Sequence, residues 1–369
     1  MKVLQRGQRS SLLGHAGARR AVLAAALATI GAVGPCGIAS ADAARLPGAG
    51  GTVWVTDRAG QPGGLFALDA GSGEVIERVA IGLNPIGAVA PVGTRKVYAT
   101  NETSNSVSVV SKSPLREVKQ IPTGAGSKPH HLVEGRGGRS VYAALFGSST
   151  VAVIDTTVDE VAGTLAMSSR PGVKTHAVSA GRDGRTLYGA NTFGPTPEPQ
   201  RSGTVSAVDT GTGRLLWEVE VGRNPSEVLV TRDARTAYVS VRDEDVVKVL
   251  DLTGDQPTIV GEGFVGDQPD TLQLTSDGQT LVVALRGTPA QVALLNTSTL
   301  VAKFVGLPGT TTGHQWLSTN GRYTFVAVED PAAPGVAVID NRTGAFVEKF
   351  VLPAGTRPHG VFYEPSRLR

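Results

Sequence analysis

The 369-residue chain carries 35 Lys and Arg against 32 Asp and Glu, and five of the basic residues, Lys2, Arg6, Arg9, Arg19 and Arg20, fall in the first 41 positions with no acid among them. Residues 42–369 therefore hold 30 basic and 32 acidic side chains, a balance that offers no general pull on nucleic acid. The single cysteine, Cys36, lies in the same leading segment, so the rest of the chain folds without disulfides and relies on a large core.

In chain order, the first element is an alanine-rich apolar run, Ala21 to Val33, behind the five basic residues and ahead of the small residues Ala39-Ser40-Ala41. This is the pattern of a cleaved export signal, too short for a membrane span. Residues 1–41 are expected to be removed, leaving a linker over 42–50 and a mature chain with no transmembrane segment, secreted or held in the periplasm or on the envelope exterior. Arg19-Arg20-Ala21-Val22-Leu23 resembles the twin-arginine export motif.

From residue 51 onward one unit repeats. A turn, usually with proline, is followed by a residue that opens an apolar strand, and the slot recurs at Ile86, His130, His176, Ser226, Asp270, His314 and His359, in steps of 44, 46, 50, 44, 44 and 45. Periods of this size indicate propellers or solenoids. Within each unit the first strand ends at a tight polar turn: Gly137-Gly138-Arg139, Asp183-Gly184-Arg185, Asp233-Ala234-Arg235, Asp277-Gly278-Gln279 and Asn320-Gly321-Arg322. Asp-Gly and Asn-Gly between alternating apolar runs signal hairpins, because glycine accepts the positive φ they demand. Second strands such as Leu187-Tyr188-Gly189-Ala190-Asn191 follow, then third strands such as Val336-Ala337-Val338-Ile339-Asp340, whose terminal Asp reads as turn chemistry, then a fourth strand. The fourth unit carries a proline-rich insertion at 193–201, expected on the slot's face either as a partial lid or as a plain surface excursion.

The two ends decide between an open and a closed array. The repeat begins with a second-type strand, Thr52-Val53-Trp54-Val55-Thr56, and ends with a first-type strand, His359-Gly360-Val361-Phe362-Tyr363. If the last strand completes the first unit, seven four-stranded antiparallel blades close into an all-β ring over 51–364, with 365–369 as a tail. The strings Tyr98-Ala99-Thr100-Asn101, Val107-Ser108-Val109-Val110 and Ile121-Pro122-Thr123-Gly124 make this repeat similar to that of the YVTN-type seven-bladed propellers, and the likeness spans residues 51–364. The resemblance implies the fold. For activity it implies a range: binding proteins, lactonase-like and lyase enzymes, and modules like those of copper and haem oxidoreductases.

Four of six histidines occupy the slot and His131 adjoins it, so imidazoles are expected to gather at one channel mouth. His130, His131, His176, His314 and His359 are candidate ligands for copper or zinc, with Asp270 able to complete the set. As an enzyme, the same face would use His314 or His359 as general base, partnered by Glu329 or Asp270. Loops between second and third strands should add Arg242 and Arg286 as anion contacts, with Asn101 and Asn191 as further ligand contacts. Ser226, Asp270 and His314 sit in consecutive units, but the acid lies between the other two, which disfavours a serine triad. Expected partners are thus a small polar ligand or a metal ion. A scaffold for protein or cell-wall polymer is the alternative, and the chain is expected to be a monomer that does not bind nucleic acid.

Overall fold

In the computed structural model, residues 45–194 and 201–366 are described. The expected leader, its Cys36 and residues 195–200 of the insertion lie outside them. The described residues form seven four-stranded antiparallel sheets, and the first strands of successive sheets neighbour one another in a closed circuit. This is the seven-bladed propeller expected from the repeat. Among the described residues no helix is long and apolar enough to cross a membrane.

Closure occurs as the complementary ends imply. Pro358–Pro365 pairs antiparallel with Gly51–Asp57, so that Val53 faces Tyr363 and Trp54 faces Phe362, and blade 1 is completed by the strands Gly64–Asp69 and Val75–Ala80. Trp54 Nε1–H donates to Glu364 Oε2 at 3.0 Å, and the Tyr363 hydroxyl donates to the Gly50 carbonyl at 2.6 Å. Leu46 and Ala49, expected in a linker, are buried in the cluster that holds Phe66, Phe325 and Tyr363. Burial of these apolar side chains recruits the linker into the blade 1 to blade 7 seam.

Blades pack face to face through alternate residues of their middle strands, which are buried almost throughout. Outer strands are instead half exposed, and in Leu115–Pro122 the charged Arg116, Glu117 and Lys119 protect the free edge. The third-strand aspartates cap their turns as expected: Asp69, Asp155, Asp209, Asp251 and Asp340 each accept the N–H two residues on. The turn at Ala234 holds φ at +57°, where its counterparts have Gly184, Gly278 and Gly321 at about +70°.

Candidate axial ligand site

A bulge in each first strand builds the site. In blade 3, Pro129 pairs with Leu145 and Leu132 with Ala143, so three steps on the first strand face two on the second. The same one-residue slip brackets His359, Ile86, His176, Ser226, Asp270 and His314 in the other six blades. Bulges bend a strand and re-aim its side chains, and here they turn every slot residue toward the axis. Glycines let the strands converge: a Cβ on Gly313 would lie 2.3 Å from the His359 carbonyl oxygen, and one on Gly360 would lie 2.1 Å from that of Ile86.

The imidazoles meet. Ring centroids are 4.4 Å apart for His130 and His176, 4.7 Å for His314 and His359, and 6.3 Å for His130 and His314, which stand on opposite sides of the ring. His131 lies 5.9 Å from His314, and Phe146 closes one wall edge-on to His176 at 5.5 Å. Burial is the largest influence on all five, and for the four slot histidines the neighbouring rings and guanidiniums add to it. The slot histidines are pushed well below the ordinary imidazole pKa, and His131 falls to about 4. The cluster is neutral at neutral pH.

Hydrogen bonds fix two tautomers. His176 Nδ1 is 2.7 Å from the Ser226 carbonyl, which can only accept, so the Nδ1–H donates and a lone pair remains on Nε2. His359 Nδ1 is 3.3 Å from Arg286 Nη1, which can only donate, so this neutral imidazole carries its hydrogen on Nε2. Expected to act as a base, His359 has its lone pair taken by Arg286 and presents a donor, whereas His176 is a slot residue whose tautomer leaves Nε2 with a lone pair. Glu329 Oε1 lies 3.5 Å from His359 Nδ1, but Arg286 and Arg357 also flank that carboxylate at 3.6 and 3.5 Å.

Asp270, expected as a catalytic partner, is committed elsewhere. It is 1% exposed, takes Nη2–H of Arg242 on Oδ1 and accepts the Ser226 hydroxyl at 3.0 Å. Burial alone would raise its pKa, but Arg242 and the nearby imidazoles hold it well below the carboxylate range. Ser226 therefore bonds to the acid directly, without a histidine between them, and no triad is formed. Asn101 and Asn191 do not reach the mouth. Both are fully buried in their own blades, where Asn101 Nδ2 donates to Ser106 and Ser108, and Asn191 Nδ2 to Thr204 and Ser206. Their positions at strand ends suggested a loop, whereas the hydroxyls of the neighbouring strand, which also donate to Gln120, Glu117 and Glu218, accept their amide hydrogens inside the blade.

Arg58 and Arg357, not singled out from sequence as a pair, join Arg242 and Arg286 around the mouth. Arg58 Nε–H donates to Asn84 Oδ1 at 2.7 Å, and its pKa is lowered first by burial and then, against the pull of Glu329, by the charges of Arg357 and Arg286. Such crowding of guanidiniums was invisible because Arg357 arrives with the closing strand, about 300 residues after Arg58. Among the described residues no group of three or more His, Cys, Asp and Glu side chains is arranged to hold a single metal ion, although buried His130 Nδ1 has no hydrogen-bond partner.

No family model and no curated protein matches the chain. Among solved structures it is similar to a chain of the hydrazine synthase of Kuenenia stuttgartiensis, at TM-score 0.68 and 18% identity, covering 84% of this chain and 99% of that one. It is also similar to the periplasmic gluconolactonase of Pseudomonas aeruginosa, at 0.64 and 17% over 84% and 99%. A dihydro-heme d1 dehydrogenase matches at 0.60 and 16% over 84% and 74%. The likeness is one of fold. The activities named for these neighbours differ widely, so function must be argued from the mouth itself.

Proposed function

We propose that this propeller binds a small carboxylate- or phosphate-bearing ligand at its axial mouth. The observation that carries this is a charge imbalance: Arg58, Arg242, Arg286 and Arg357 surround neutral imidazoles, and among the described residues they are opposed there by Glu329 and Asp270 in direct ion pairs and by Glu102 near Arg58. Guanidiniums present paired donors suited to a planar carboxylate or a phosphate. Imidazole N–H groups beneath them, such as His359 Nε2–H, supply further donors.

Two readings of the same site follow from specific atoms. His176, with Nδ1–H anchored on a carbonyl and Nε2 free, has the tautomer a general base needs, which supports a lactone hydrolase of the kind named for the Pseudomonas neighbour. The unpartnered His130 Nδ1 supports a copper or zinc site formed by rearrangement of the slot histidines. The leading segment, 1–41, supports export, which N-terminal sequencing of the extracellular or periplasmic protein would test.

The test is calorimetry with gluconate, 6-phosphogluconate and inorganic phosphate on untagged protein, compared with Arg286→Ala and with Arg235→Ala on a remote turn. Binding weakened tenfold or more in the first and unchanged in the second is expected. Equal binding by all three proteins, or none by the wild type, would overturn the anion reading. Elemental analysis of the same sample decides the metal reading, which requires stoichiometric metal that is lost in His130→Ala/His314→Ala.

A further inference from the structure

The first strands begin at the mouth and end on the opposite face of the ring, where six of them run into a hairpin turn closed by a backbone hydrogen bond. The residue before that turn is apolar in five blades: Ala90, Ala180, Val230, Leu274 and Leu317. In blade 3 it is Glu134. The second turn residue is Arg136, Arg182, Arg232, Ser276 or Thr319 in five blades, whereas blade 2 has Val92, which is more than half exposed. Two neighbouring blades therefore depart from the repeat, one with a carboxylate in an apolar position and the other with an apolar side chain in a polar one.

Both departures line one cavity of about 800 Å³. Trp316, Phe362, Val89 and Val133 supply most of its apolar surface, and the Trp316 and Phe362 rings, from blades 7 and 1, stand 4.7 Å apart. Trp316 also borders the small space behind His131 and His314, so its indole walls the cavity off from the mouth. The size, and an apolar lining with a few polar groups, are those of a small-molecule site.

Three charged side chains reach the cavity: Glu134, Glu364 and Arg232. Glu364 is committed, since Oε1 pairs with Lys112 Nζ and Oε2 accepts Trp54 Nε1–H at 3.0 Å. Arg232 is exposed at the rim, where solvent screens its charge. Glu134 Oε2 accepts the Val92 N–H at 2.8 Å, and among the described residues no cation stands within ion-pair distance of this carboxylate. Burial pushes the Glu134 carboxyl up, against the Val92 N–H and the charge of Lys112, and a cation docked beside it would offset that desolvation. Aromatic faces in the same cavity add attraction for a positive charge. We propose that this cavity binds a small organic ammonium ion, its charge on Glu134 and its apolar body against Trp316, Phe362 and Val92. The site is separate from the mouth and does not depend on anion binding there.

Calorimetry on the full chain with phenethylammonium tests this, with the uncharged 2-phenylethanol as its control. The amine should bind saturably, and the alcohol about tenfold more weakly or less tightly still. Glu134→Gln should weaken the amine by about tenfold or more and leave the alcohol unchanged, whereas Arg286→Ala at the mouth should alter neither. Absence of amine binding, equal affinity for amine and alcohol, or an amine affinity that Glu134→Gln leaves unchanged overturns the proposal. Loss of amine binding in Arg286→Ala would place the amine at the mouth and overturn it too. Should Glu134→Gln fail to fold, Val92→Arg introduces the residue type that blades 3, 4 and 5 carry at this turn and gives Glu134 an internal counterion. Amine binding undiminished in that variant overturns the proposal.

Discussion

Acid should unfold this protein through its axis. All five histidines at the axis have pKa values below the unfolded value near 6.5, so below that pH the unfolded chain binds more protons than the folded one, and stability is lost as pH falls. For His131, at about 4 in the fold, the loss between pH 7 and pH 5 is about 2 kcal/mol, and each slot histidine that stays neutral at pH 5 loses a similar amount. Glu227 works in the opposite sense: its raised value, about 8, disfavours the fold once the unfolded carboxyl ionises, so lowering the pH from 7 to 5 returns roughly 2–3 kcal/mol. The five imidazoles act together against this single carboxyl, so the net effect of lowering the pH from 7 to 5 is a loss of stability. Urea denaturation at 25 °C and fixed ionic strength across pH 5 to 8 measures it directly. The midpoint should fall below pH 6.5, and His314→Gln, which removes one of the five imidazoles, should flatten the slope. A midpoint that is flat from pH 7 to 5, or a slope that His314→Gln leaves unchanged, would show that the imidazoles are not held neutral in the closed cluster.

Three further outcomes follow from particular atoms. Ala234→Gly should stabilise by about 1 kcal/mol, because Ala234 sits at φ +57° where its counterparts are glycine, and a melting temperature raised by about 1–2 °C is expected for a chain of this size. Asp270→Ala should destabilise by about 3–5 kcal/mol in denaturant titration, by stranding the Arg242 guanidinium whose Nε already lacks a partner, and Asp270→Ala/Arg242→Met should recover most of that loss. Gly360→Ala should lower stability by at least about 1–3 kcal/mol, since its Cβ overlaps the Ile86 carbonyl, whereas Gly278→Ala, in open space at φ +73°, should cost only backbone strain.

The ring was legible in sequence because its signals are local or countable: hairpin turns, a period of 44 to 50 residues, and a strand missing at one end and spare at the other. The gathering of slot residues followed from the same period. The bulge was not legible, because a bulge is a mismatch between two strands and neither strand alone records it. Alternation along a regular strand would send Glu227 to the face opposite Ser226, and Gln315 opposite His314. The extra residue in each first strand breaks that rule and carries both members of each pair to the axis at successive depths. One trace was present: Glu227 and Gln315 are polar residues at the openings of the otherwise apolar runs Val228-Leu229-Val230 and Trp316-Leu317, and His131 doubles a slot histidine. In a strand buried on both sides, such residues carry a desolvation cost that burial among apolar neighbours cannot offset, so their presence implies partners at the axis. The same argument separates Asn101 from Arg58. Asn101 Nδ2 finds its partners within one blade, whereas the guanidiniums at the mouth come from several blades and converge only when the ring closes.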